Sequence, residues 1–468
     1  MRGGSNILAL VGTAAAILAQ QAHSQAQQAD DSELDRIPQG VMDTSAGSAS
    51  NPAAVANTLY LEEAPEYQTN RHDLLVPLPG GNGPQFINRL FLDGHGGWQY
   101  GQSLKVLYSA RLDYTTGDPG RDSFSYDLRE LFLSWSLDAQ RRWFIDFGRI
   151  NVRNGVAYAF NPTDFFRTQS VVDETSQDPS VRRENRLGTL MLRGQYFLGG
   201  VALTAIYAPR LYEQPLALTT VPSGSDPQLR RTNAANRAEL SASVDFGHDL
   251  SPQAVLFHSN DAWAYGVNMA RGFGTQTTAY VEWSATRRSS LVTQAMQYGV
   301  RTGTFGDPTP PIPTDTREYL DHDLAAGVSY TTRSNVNFIV EYDLHQAGLS
   351  KTDWRHWFAA GTAGNPLLNG ELWYLRDYAA VQQEPISRQS LFLRVAKDNW
   401  LSPNLSASAL ALIDLTGTSG LGQAEVSYRV STRLQLELML QTALGSRRSD
   451  FGSLPVASAY FFSVRFYL

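Results

Sequence analysis

The sequence predicts an all-β fold, a transmembrane antiparallel up-and-down β-barrel of sixteen to eighteen strands. Three observations carry this. Segments of about ten residues alternate apolar and polar side chains, turn-rich connectors of unequal length separate them, and the chain ends in mid-strand. A soluble sandwich also alternates, so segment length, aromatic placement and the last strand decide between the two.

Taken in chain order, the first segment concerns export. Arg2 precedes an apolar run from Ile7 to Leu18, followed by Ala22-His23-Ser24 and Ser24-Gln25-Ala26. This is the pattern of a secretory signal peptide over residues 1–26, and the run is too short to span a bilayer. No later stretch reaches the roughly 18 apolar residues of a spanning helix, so any membrane residence has to be built from strands. Residues 27–83 are rich in Gln, Ser, Ala, Pro and Gly and close on Pro77-Leu78-Pro79-Gly80-Gly81-Asn82-Gly83-Pro84. They are expected to form a flexible periplasmic lead-in or a small plug, with the barrel occupying 84–468.

Within the barrel the alternation is explicit. Leu104, Val106, Tyr108, Ala110, Leu112 and Tyr114 share one face, while Lys105, Ser109, Arg111 and Asp113 share the other. Leu240 and Val244 oppose Glu239 and Asp245, Phe338 and Val340 oppose Glu341 and Asp343, and Leu436 and Leu438 oppose Gln435 and Glu437. Tyr114, Trp143, Tyr207, Trp283 and Tyr330 lie near the ends of apolar faces, as interfacial girdles require. A phase slip between Leu128 and Leu131 predicts a bulge.

In such barrels both termini are periplasmic and the external loops are the long ones. External connectors are therefore expected at 116–124, 151–186, 209–236, 271–275, 302–317, 347–388, 416–421 and 445–457. Periplasmic ones are expected at 138–141, 199–200, 249–261, 287–290, 331–335, 399–403 and 431–433. Counting from about residue 102 gives sixteen strands; adding 86–97 and one more gives eighteen. The stretch 371–381 is a further strand candidate inside a loop.

A ring of that size is too wide to be filled by its own side chains and implies an aqueous channel. Inward-facing charges then line the pore, with more acids (Asp113, Asp146, Glu239, Asp245, Glu282, Asp323, Glu341, Asp343, Asp414, Glu425, Glu437) than bases (Lys105, Arg111, Arg193, Arg394, Arg429, Arg465). The surplus leans toward cations or neutral solutes. The formal net charge of -7, from 38 basic and 45 acidic residues, is not the footprint of a nucleic-acid binder. The absence of cysteine excludes disulfides, thiolate metal sites and cysteine nucleophiles.

The last strand, with Tyr460, Phe462, Val464, Phe466 and Leu468 on one face and Ser463 and Arg465 on the other, resembles the C-terminal strand of bacterial outer-membrane proteins, although those usually end in Phe. The segment Phe147-Gly148-Arg149-Ile150, then Gly155, then Asn161-Pro162-Thr163-Asp164 resembles large porin-like barrels, including the alginate-export-like families. The resemblance implies a Gram-negative outer-membrane location, insertion by the barrel assembly machinery, and a homotrimer as one option for its assembly. It also implies an external loop that folds into the lumen, with Arg149, Arg153 and Asp164 at a constriction. Further pore-lining candidates are Arg111, Asp113, Arg193, Glu341, Asp343, Arg394 and Glu437, and Arg182, Arg183, Glu184 and Arg186 form a second candidate for the eyelet.

Enzymatic motifs are missing: there is no Gly-x-Ser-x-Gly, no His-Glu-x-x-His and no Walker loop. On an alternating strand His322 points away from Asp321 and Asp323, so no shared metal site is expected there. Asp307 and Asp315 bracket a proline-rich loop and are weak candidates for calcium. The expected function is passage of small hydrophilic solutes across the outer membrane, without cofactor or catalysis. Export of a secreted polysaccharide with periplasmic partners is the alternative, and a non-conducting surface barrel the third.

Overall fold

The computed structural model describes residues 57–81, 83–117, 123–172, 175–218, 228–247, 250–260 and 262–468. The expected signal peptide and the start of the expected lead-in lie outside them. Eighteen strands follow one another around a single closed sheet. They are β1 (Thr58–Asn70), β2 (Phe86–Tyr100), β3 (Leu104–Thr116), β4 (Ser123–Ser136), β5 (Trp143–Ile150) and β6 (Thr189–Leu198). Next come β7 (Val201–Ala208), β8 (Arg237–Val244), β9 (Gln253–Ser259), β10 (Ala262–Phe273), β11 (Thr277–Arg288) and β12 (Tyr319–Thr331). The last six are β13 (Val336–His345), β14 (Gln389–Lys397), β15 (Leu405–Asp414), β16 (Ser419–Arg429), β17 (Leu434–Leu444) and β18 (Val456–Tyr467). Each pairs antiparallel with its chain neighbours, and β1 pairs with β18, so no edge is left. Closure satisfies every strand's backbone within the sheet, which crossing a bilayer with strands requires.

The outer surface is apolar. Leu131, Leu133, Trp135, Leu240, Val340 and Leu438 are exposed, and the five expected girdle aromatics are between 36% and 52% exposed. The inner surface carries the charges, as the alternation predicts. In β4 the residue opposite Ser109 is Glu130 and the one opposite Ala110 is Leu128, which leaves Arg129 as an extra residue. The expected bulge turns Arg129 inward to pair with Asp93 at 2.6 Å.

Three expectations need correction. The barrel begins at Thr58, inside the segment read as lead-in. Glu63 and Pro65 stand on the same face as Leu61 and Tyr67 in β1 and break its apolar pattern. Pro65 also lacks an N–H, and the ladder to β18 skips from Glu63↔Val464 to Glu66↔Phe461. Residues 291–301 are a helix where a strand is expected: Ser290 caps it by accepting from Thr293 N at 3.4 Å, and Leu291, Val292, Ala295, Met296 and Tyr298 share a buried face. Conversely, β9 lies inside the expected connector 249–261. The two errors offset each other in the strand count but reverse the side of one turn: the β10–β11 connection, at 274–276, shares a rim with the termini.

On that rim the turns are short. The opposite rim carries the long connectors 151–188, 209–236, 289–318 and 346–388. Among the described residues they contain five helices: α1 (Pro179–Glu184), α2 (Leu229–Thr232), α3 (Leu291–Arg301), α4 (Lys351–Thr362) and α5 (Pro366–Gln382). The strand candidate at 371–381 is part of α5. Helices α3, α4 and α5 gather Trp354, Trp357, Phe358, Leu372, Leu375 and Met296 into one apolar core at this end of the barrel.

Candidate functional site in the lumen

The 151–188 connector leaves β5 and turns into the lumen. It forms little regular structure, so its backbone N–H groups need acceptors elsewhere. Two carboxylates on the barrel wall supply them. Glu282 on β11 accepts from the backbone nitrogens of Val156 (2.9 Å), Ala157 (3.0 Å) and Thr163 (2.7 Å) and from Thr163 Oγ1 (2.8 Å). Glu341 on β13 accepts from those of Tyr158 (2.7 Å), Ala159 (2.9 Å) and Phe160 (2.9 Å) and from the Tyr280 hydroxyl (2.6 Å). Glu239 on β8 accepts from Asn154 Nδ2 at 2.7 Å. Both Glu282 and Glu341 are fully buried, so these bonds are made away from competing water. Loop and wall therefore satisfy each other: detaching one leaves the other with buried orphan groups.

The close approach has a sequence requirement at Gly155. Its φ is +94°, and a Cβ there would sit 2.5 and 2.6 Å from the two Glu282 oxygens. On the wall, a Cβ at Gly266 would meet Thr163 Cγ2 at 2.7 Å.

Within the loop, arginines hold the turns. Arg186 pairs with Asp164 at 2.6 Å, Arg167 Nη1 donates to Asn161 O at 2.6 Å, and Arg149 Nε donates to Gly188 O at 2.8 Å. Burial pulls the Arg186 guanidinium down to about 10, against the opposing pull of Asp164. Asp178 caps α1 by accepting from Ser180 N at 3.0 Å and binds Arg394 Nε on β14 at 3.0 Å. Burial alone would raise the Asp178 carboxyl; Arg394 and the bonds from Ser180 outweigh it and hold the group below the usual carboxylate range.

The predicted site residues are dispersed rather than gathered at one eyelet. Arg149 and Asp164 are buried and hold the loop together, and Arg153 is half-buried on the loop's first turn. Glu341 clamps the loop, and Arg394 binds Asp178. Arg111 pairs with Asp113 at 2.8 Å and lies over the Phe91 ring at 3.7 Å, while Arg193 pairs with Asp146 at 2.7 Å. Glu437 is half-buried on β17 opposite Ser463. Asp245 lies in a short-rim connector and is exposed. Of the second candidate group, Arg182, Arg183 and Arg186 border a cavity of about 560 Å³ between the in-folded loop, α5 and the wall of β13 to β16. Phe160, Asp343, Asp377 and Asp414 border it too.

One constellation escaped the sequence. Asp321, Asp323 and His345 place ligand atoms within 4.8 Å of one another. Arg288 occupies the same place, with nitrogens 2.6 Å from Asp321, 2.8 Å from Asp323 and 2.7 Å from Glu384, two residues past α5. His345 Nδ1 lies 2.8 Å from Asp323. The guanidinium supplies the positive charge these acids need, so the group reads as a tie between α5 and the wall. His322 faces outward against Trp283, as the alternation predicts, with ring centroids 5.8 Å apart. Asp315 pairs with Arg317 at 2.7 Å, and the bonds from Arg317 hold its carboxyl down at about 2.

The geometry defines a large closed β-barrel with an apolar exterior and a charged lumen narrowed by an in-folded loop. The sequence matches no protein-family model. It matches no curated protein. Among solved structures it is similar to Pseudomonas aeruginosa OccK5 (OpdH), with a TM-score of 0.48 at 10% identity over 89% of this chain and 98% of that one. It is also similar to P. aeruginosa OccK11 (OpdR), with a TM-score of 0.48 at 10% identity over 88% and 96% of the two chains. For P. aeruginosa OpdK with vanillate the TM-score is 0.46 at 12% identity, over 88% and 98%.

Proposed function

We propose that the protein is an outer-membrane channel of a Gram-negative bacterium that lets small hydrophilic solutes pass by diffusion. The observation that carries this reading is the wall itself: eighteen strands closed into a ring, with apolar residues outside and charged ones inside. The reading includes export by the N-terminal signal and insertion by the barrel assembly machinery through β18. The in-folded loop supports passage of small molecules over export of a polysaccharide, because a polymer needs a wide continuous bore and this loop is bonded to the wall across the lumen. It also revises the meaning of the acid surplus. Glu239, Glu282 and Glu341 are engaged by the loop, so counting wall acids overstates the field a solute meets. Single-channel recording of refolded protein in planar bilayers tests the proposal. Discrete conductance steps are expected, and a barrel that inserts without conducting would refute it.

A further inference from the structure

Arg237, the first residue of β8, differs from five of the other buried arginines. Arg111, Arg129, Arg167, Arg186 and Arg376 contact Asp113, Asp93, Glu384, Asp164 and Asp450, respectively. Arg237 is 8% exposed, donates to Thr168 Oγ1 at 3.3 Å, and has no hydrogen-bond partner for Nη1. Among the described residues no carboxylate pairs with it. A desolvated guanidinium without a counter-charge is costly, and a bound anion would supply the missing charge.

Arg237 lines a cavity of about 470 Å³ between the in-folded loop, the 209–236 connector, α3 and α5. Arg210, Arg231 and Arg301 border the same cavity, and Glu213 is the one carboxylate among the described residues lining it. Four guanidinium groups against one acid leave a surplus of positive charge in the lining, with Arg231 already bonded to Gln228 Oε1 and Val171 O. Thr168, Gln169 and Gln382 add polar side chains. Ser259, the last residue of β9, and Asn260, which follows it, also line the cavity.

We propose that this cavity binds a doubly charged oxyanion, a phosphate group carried by a solute that reaches the long-loop rim. A dianion offsets more of the surplus than a carboxylate does, and its several oxygens suit the planar fork of Arg237 together with neighbouring guanidinium groups. The site is separate from the 560 Å³ cavity and does not depend on whether the barrel conducts.

Titration calorimetry on the refolded full-length protein in detergent at low ionic strength, with inorganic phosphate as the probe, tests it. Wild-type protein is expected to bind phosphate at least tenfold more tightly than acetate. Arg237→Gln is expected to weaken phosphate binding tenfold or more, and Arg237→Lys, which keeps the charge without the fork, less than that. Arg301→Gln, on an exposed side chain, is expected to weaken it two- to fivefold and keeps the test open should the Arg237 variants fail to refold. Glucose 6-phosphate is expected to displace the probe. No phosphate binding by wild-type protein, unchanged binding by Arg237→Gln, or acetate binding as tightly as phosphate would overturn the proposal. Displacement by short-chain phosphatidic acid but not by glucose 6-phosphate would overturn the solute as the source and point to a lipid headgroup.

Discussion

Two segments fill the long-loop end of the barrel by opposite means. Residues 151–170 have little regular structure and are held by polar bonds to the wall, six of them from backbone nitrogens to Glu282 and Glu341. Residues 351–382 form α4 and α5 and are held by an apolar core shared with α3 and Val76, in which Trp357 is fully buried and its Nε1 donates to Leu372 O at 3.2 Å. The first segment cannot keep its shape without the wall; the second brings its own partners and needs the wall only at ties such as Arg288–Glu384. A barrel can thus be narrowed by a loop whose fold is stored in strand residues, and capped by helices whose fold is stored in an apolar core among the connectors.

The largest effect is expected where that dependence is broken. Removing both acceptors in a Glu282→Ala, Glu341→Ala protein orphans six backbone N–H groups, each costing about 1–3 kcal/mol if left buried without a partner. The barrel should still form, since its ladder is untouched, while the loop leaves the lumen and single-channel conductance rises severalfold. Unchanged conductance would show that the loop is held by something other than these carboxylates.

Trp357→Ala should have the next largest effect, confined to the other segment. Loss of a buried Trp costs about 3–5 kcal/mol, so amide exchange should accelerate across 351–382 while residues 154–163 stay protected. Faster exchange in both segments would show that cap and loop are one unit, and Gln169 N, which donates to Val381 O at 2.8 Å, is where they would couple. Gly155→Ala should be milder, about 1–3 kcal/mol of strain. It should destabilise the loop alone, raising conductance noise without changing the exchange of α4 and α5.

The same contrast explains what could be read from the sequence. The wall was legible because one side of each strand meets hydrocarbon or its equivalent, and burial of one face imposes a period of two. Thus Leu438 and Val340 point outward, Arg111 and Glu341 point inward, and the slip at Leu128 is a bulge. The cap carried local signals that a strand-based reading passes over: Ser350 and Asp353 form a capping box, and Asn365-Pro366 opens α5. Ser290 likewise announced the helix at 291–301. The loop clamp carried no local signal at all. Glu282 stands 119 residues from Thr163 in the chain, and an inward glutamate reads as pore lining whether it faces water or a backbone. What marks it is Gly155, a residue that makes sense only once the carboxylate beside it is known.

The smallest effect expected concerns the far end of the loop and is set by pH. The Asp178 carboxyl is held below its ordinary value, so it stabilises the folded loop when ionised. That contribution is complete above the unfolded-state value, near pH 4, and is lost as the pH falls through the lower folded-state value. Protonation weakens both the cap on α1 and the bond to Arg394, on the order of 1–3 kcal/mol for a hydrogen bond to a charged group. Acidification from pH 6 to pH 3 should therefore increase conductance fluctuations in wild-type protein. In Asp178→Asn the amide keeps a neutral oxygen to accept from Ser180 but offers Arg394 no charge, so those fluctuations should already be present at pH 6 and change less on acidification. If wild-type and Asp178→Asn respond alike, the acid sensitivity does not arise at Asp178, and the loop is governed by its middle rather than by its end.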